Sequence, residues 1–127
     1  MGIVHRFTGT ATDFQWENIR EQAYGDSEVR GVSVRWLIGP NEAAPNFAVR
    51  YFEIAPGECT SLDRHEHDHG VVMLTGCGDV LLGDEVLEIS FGDVVYVPPN
   101  ERHQFRCTGD APLGFLCVIP ARGSGSL

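Results

Sequence analysis

Positive charge is scarce in this chain. Lys and Arg together number 9 against 18 Asp and Glu, for a formal net charge of −9 and a pI near 4.8. A surface this acidic repels phosphate backbones, so nucleic acid is not an expected partner. Long hydrophobic runs are also missing, and no stretch approaches the ~20 apolar residues of a membrane span. The opening residues, Met1-Gly2-Ile3-Val4-His5-Arg6, lack the basic segment and apolar run of a secretory leader. Arg6 stands where myristoylation of Gly2 would want Ser or Thr. The expected location is therefore cytoplasmic, away from membranes. The four cysteines, Cys59, Cys77, Cys107 and Cys117, form no CxxC zinc pattern. In a reducing compartment they read as free thiols packed like small hydrophobes, although Cys107, four residues past His103, has a site within reach. Internal repeats and low-complexity blocks are absent.

What the chain does have is turn residues between short apolar runs: 15 Gly and 7 Pro in 127 residues, with 43% hydrophobic content. That length suits one domain with a real core. Val32–Ile38 and Phe47–Ile54 are rich in β-branched and aromatic residues, as strands are. Val71–Leu74, Val80–Leu82, Glu85–Ile89, Val94–Val97, His103–Cys107 and Leu113–Ile119 read as further strands, and Gly83-Asp84 as a tight hairpin turn. About nine short strands at regular spacing predict an all-β sandwich or barrel closed on itself, which removes exposed edges. One helix is expected, over Asp13–Gln22 with Thr12 as its cap. The tail over residues 122–127 reads as flexible.

Residues 63–69 are Asp-Arg-His-Glu-His-Asp-His, and His103 follows 34 residues after His69, just beyond Pro98-Pro99-Asn100. Histidine and carboxylate in this density suit a divalent transition metal. Geometry constrains how they meet. On one straight strand His65 and His69 would lie ~13 Å apart, so a shared ion requires a bend between them. Pairs at i and i+2, such as Asp63/His65, His65/His67 or His67/His69, share a strand face, and spacing alone does not choose among them.

Taken together, these residues resemble the two motifs of the cupin superfamily, G-x5-H-x-H-x3-E-x6-G and G-x5-P-x-G-x2-H-x3-N. The first falls in register on Gly57, Asp63, His65, His69 and Gly76, and the second on Gly92, Pro98, Asn100, His103 and Cys107. The resemblance covers roughly residues 47–119 and implies a single small cupin-2-type domain over 1–127: a double-stranded β-helix, or jelly-roll barrel, with N-terminal strands over 1–46. It further implies one divalent ion (Fe, Mn, Zn, Ni or Cu) bound by three His and one carboxylate. His65, His69 and His103 fill three slots. Asp63 stands where the first His is expected and His69 where the Glu is expected, so the carboxylate has changed slot while the charge given to the metal is kept. His67 can replace Asp63 as a ligand, line the cavity or face solvent.

Asn100 replaces a turn Gly, a mild change because Asn tolerates left-handed backbone. Cys107 replaces a motif Asn. Trp36, Phe52, Met73, Tyr96 and Gln104 are expected as core or cavity wall, Glu66, Asp68 and His5 as solvent-facing. The resemblance implies a metalloenzyme acting on a small oxygen-rich substrate, with dioxygenase-like chemistry foremost and lyase or isomerase chemistry beside it. The competing implication is a non-catalytic module that senses or stores a small ligand or metal. A homodimer is implied in either case.

Overall fold

The computed structural model describes residues 2–25 and 28–121, and the tail expected to be flexible lies outside them. Nearly all of the regular secondary structure among the described residues is strand, in two antiparallel sheets. The elements are β1 (Glu21–Ala23), β2 (Val32–Ile38), β3 (Phe47–Ile54), β4 (His69–Thr75), β5 (Cys77–Leu82), β6 (Glu85–Ser90), β7 (Val94–Val97), β8 (His103–Cys107) and β9 (Leu113–Pro120), with one 3-10 turn at Pro40–Glu42. The larger sheet runs β1-β2-β3-β9-β4-β7 and the smaller β6-β5-β8. Their inner faces enclose one core, so the architecture is the closed all-β fold that the strand spacing predicts, in the jelly-roll form that the cupin resemblance implies.

The period-2 alternation of each strand decides what points inward. On β3, Ala48, Arg50, Phe52 and Ile54 are buried. On β9 the matching set is Leu113, Phe115, Cys117 and Ile119, paired as Ala48↔Ile119, Arg50↔Cys117, Phe52↔Phe115 and Ile54↔Leu113. Phe115 stacks on Phe105 at 4.7 Å and on Phe52 at 5.5 Å, which forms a dry aromatic floor in mid-barrel. Each ring fully removed from water contributes on the order of 2 kcal/mol of burial, and each offset pair adds roughly 1 kcal/mol.

Turn chemistry closes the barrel. Gly83-Asp84 makes the expected hairpin between β5 and β6, whose register begins at Leu82↔Glu85. Gly76 has φ of 77°, and a Cβ there would run into the Pro112 carbonyl oxygen, so only glycine fits. The helix expected over Asp13–Gln22 does not form. The segment is extended, with bridges Phe7↔Trp16 and Thr10↔Asp13, and ends in β1. Tertiary contact overrides the local pattern: Phe14 stacks on Tyr51 at 5.2 Å and Trp16 packs on the same ring at 5.3 Å. Two side chains at i and i+2 meet one surface only on an extended chain.

Candidate metal centre

Two segments bring the histidines together. Residues 57–65 run antiparallel to β8 and are laced to it by backbone hydrogen bonds. Thr60 N–H donates to Phe105 O (2.9 Å), Asp63 N–H to His103 O (3.0 Å) and His103 N–H to Asp63 O (2.9 Å). The chain then bends at Glu66 and His67 and enters β4 at His69. This is the bend that a shared ion requires. Asn100, at φ 65°, turns the chain into β8 in the left-handed conformation expected of the glycine it replaces, and its N–H donates to His65 O at 2.6 Å.

One ligand atom from each of His65, His69 and His103 lies within 4.8 Å of the other two. His69 and His103 are each 2% exposed. Their rings approach edge-on at 4.9 Å, and His65 lies 5.3 and 5.4 Å from the two. The Nε2 atoms of all three, and that of His67, are buried without a hydrogen-bond partner. Four orphaned nitrogens in one place are costly unless something fills the space between them. Lone pairs so arranged could donate to a divalent cation held between them.

The outer nitrogens set the tautomers. His103 Nδ1 lies 2.9 Å from the Glu101 carbonyl oxygen. A carbonyl only accepts, so Nδ1 carries the proton and Nε2 presents its lone pair inward. His69 Nδ1 lies 3.6 Å from Cys117 Sγ. Burial, reinforced by His103, His67, His65 and Arg50, lowers the His69 pKa from the ordinary 6.5 to about 3. Burial likewise lowers His65, against an opposing pull from Asp63. Both rings are thus neutral at neutral pH, the form that binds metal.

The other candidates fall around this trio. Asp63 is outside the 4.8 Å group, and its carboxylate accepts from Ser61 Oγ at 2.9 Å. His67 is also outside it, although its ring stacks parallel on His65 at 5.0 Å. Glu66 is exposed as expected. Asp68 is half-buried and accepts from the Tyr96 hydroxyl at 2.8 Å. Tyr96 is 58% exposed, hence neither core nor cavity wall, because it alternates outward from the buried Val95 and Val97 on β7. His5 is not free in solvent: its Nε2 lies 2.8 Å from Glu42. Cys107 sits at the far end of β8, where its thiol donates to the Ala111 carbonyl at 3.2 Å, away from the histidines.

Two residues beside the site escape a reading by sequence motif. Cys117 touches His69, and burial pushes its thiol pKa up. Arg50 is 1% exposed, and its Nη2 donates to Cys117 Sγ at 3.4 Å. Its sequence signal is faint: it shares β3's inward parity with Ala48, Phe52 and Ile54.

Fold and site together define a small β-barrel protein with a histidine centre at one end of its interior. The chain belongs to the cupin family: the cupin domain model matches residues 50–119. Among curated proteins it is similar to 1-methylthio-D-xylulose 5-phosphate methylsulfurylase of Rhodospirillum rubrum, at 35% identity over 113 residues, 87% of this chain and 71% of the relative. Among solved structures it is similar to a cupin-2 domain protein of Rhodospirillum rubrum (TM-score 0.81, 33% identity, 93% of this chain and 80% of that one). It is also similar to a cupin 2 conserved barrel domain protein of Rhodopseudomonas palustris (TM-score 0.81, 30% identity, 96% and 83% covered).

Proposed function

We propose that this cupin is a metal-dependent enzyme in which His65, His69 and His103 hold one divalent transition ion through Nε2, with a small oxygen-bearing substrate as the remaining ligand. The observation that carries this reading is the set of buried, unpartnered Nε2 atoms converging at one end of the barrel. A neutral three-imidazole set suits Mn, Fe, Ni, Cu or Zn. Such an ion supplies Lewis acidity toward a carbonyl or hydroxyl oxygen, which favours proton movement at the adjacent carbon. The protein's own groups do the rest. Glu101 and Cys117 orient two of the imidazoles, and the Phe105–Phe115–Phe52 floor keeps water from the inner side.

His67 is the nearest candidate for a fourth ligand, because its Nε2 lacks any partner, whereas the Asp63 carboxylate already has Ser61. Asp63 then supplies negative charge beside His65. Similarity to an enzyme named for a keto-sugar phosphate supports a small polar carbonyl compound as substrate here. A homodimer through the outer sheet face is part of the proposal, since Val94, Tyr96 and Val118 lie exposed side by side there.

The test is elemental analysis of protein made without a His-tag, followed by turnover assays. The panel holds keto-sugar phosphates, hydroxy acids and diketones, with oxygen consumption followed in the Fe(II) form. Full metal occupancy with turnover of none of these would overturn the enzyme reading. Oxygen uptake coupled to substrate loss would move it to dioxygenase chemistry.

A further inference from the structure

The basic residues of this chain are all arginines, and among the described residues two of them, Arg35 and Arg50, are buried, each 1% exposed. They are treated differently. Arg35 faces the outside of the large sheet and pairs with Glu21 at 2.9 Å. Arg50 points into the barrel and has no carboxylate within 4.0 Å among the described residues. Its Nε is buried without a partner, and Nη2 has only the Cys117 sulfur, a weak acceptor. The guanidinium lies over the Trp36 ring at 5.1 Å and the Phe52 ring at 4.9 Å. Two ring faces and a thiol hold the side chain in place, but they leave a buried cation with no counter-charge, an arrangement that stable cores avoid.

Its position supplies the reason. Cys117 touches both Arg50 and His69, through contacts of 3.4 and 3.6 Å, so the guanidinium sits beside the histidine centre. A cavity of about 400 Å³ nearby is lined by Trp36, Pro40, Ala48 and Ile119 among others. Trp36 is shared: it is both a wall of that cavity and the platform under Arg50. Ala48 and Ile119 are the next inward pair along the β3–β9 register after Arg50 and Cys117. A ligand held at the histidine centre would lie beside the guanidinium, which reaches His69 through Cys117.

We propose that Arg50 is the anchor for an oxyanion of the ligand, a carboxylate or phosphate group, and thereby selects acidic substrates for the histidine centre. The inference deepens the metalloenzyme reading and rests on it for the ligand's second point of attachment. A planar guanidinium with unfilled donors matches two oxygens of such a group, which ammonium does not. The anion also supplies the missing counter-charge. An acidic protein repels anions at its surface, so a built internal cation is the way this chain would hold one.

The test is calorimetric titration of glycolate and of inorganic phosphate, with chloride as control, into EDTA-treated and Mn(II)-loaded protein. The proteins are wild type, Arg50→Met and Arg50→Lys, each checked for folding by thermal melt and for metal content. The expected result is binding of at least one oxyanion to wild type, weakened roughly tenfold to a hundredfold in Arg50→Met and by a lesser factor in Arg50→Lys, with metal content unchanged. The arm that binds identifies the group. Equal affinity in wild type and both variants, or no binding of either oxyanion to wild type, overturns the proposal. Arg50-dependent binding in EDTA-treated protein that takes up no metal would uphold the anchor and remove the metal centre.

Discussion

Acidifying the metal-free protein tests whether the histidines are held neutral by the fold. His69 has a folded pKa of about 3 against an ordinary 6.5, chiefly through burial, and His65 is shifted the same way. Between those values the unfolded chain binds a proton that the folded one refuses, so stability falls as pH drops through this window. The slope is about 1.4 kcal/mol per pH unit for each such histidine. From pH 6.5 to pH 5, His69 alone therefore costs about 2 kcal/mol. Glu53 works in the opposite sense. Its pKa is raised by burial, so its contribution grows on acidification and would mask part of the trend in wild type alone. Urea unfolding in EDTA, followed by tryptophan fluorescence from pH 8 to pH 5, should be run on wild type and His69→Gln. The stability difference between them should shift by about 2 kcal/mol toward the variant as pH falls to 5. A difference that stays constant with pH would refute the reasoning, because it would mean that His69 titrates alike in both states.

Two further substitutions probe the hydrogen bonding and packing of the barrel. Thr60→Val removes the hydroxyl that accepts from the Phe105 N–H at 3.0 Å. Stranding that buried donor should lower stability by about 1–3 kcal/mol, read as a reduced urea midpoint with an unchanged slope. Gly114→Ala places a methyl against the Tyr51 hydroxyl and the Thr75 methyl, and overpacking of this kind should cost about 1–3 kcal/mol, measured by thermal melt.

The strands and their turns were legible in the sequence because alternation and glycine placement are local signals. Asn100 and Gly76 could be placed in turns for the same reason, and both have left-handed backbone. The histidine trio was legible through motif spacing across two segments, and strand geometry required a bend between His65 and His69 if they share an ion, which the structure places at Glu66–His67. What could not be read depends on partners distant in sequence. The Asp13–Gln22 segment is extended because Tyr51, on another strand, collects Phe14 and Trp16. Arg50 and Cys117 meet only through the β3–β9 register, which no local pattern encodes. Tyr96 is an apolar-looking strand residue whose parity, set by β7's pairing with β4, turns it outward.

Which histidines hold the proposed ion is tested directly by elemental analysis of untagged wild type, His103→Ala and His67→Ala. His103 belongs to the 4.8 Å group and is oriented by Glu101, whereas His67 stands beside that group. Wild type should carry one divalent ion per chain, His103→Ala should lose it, and His67→Ala should keep most of it. Metal-free wild type after growth and refolding in each candidate ion, or equal loss from both variants, would contradict the assignment.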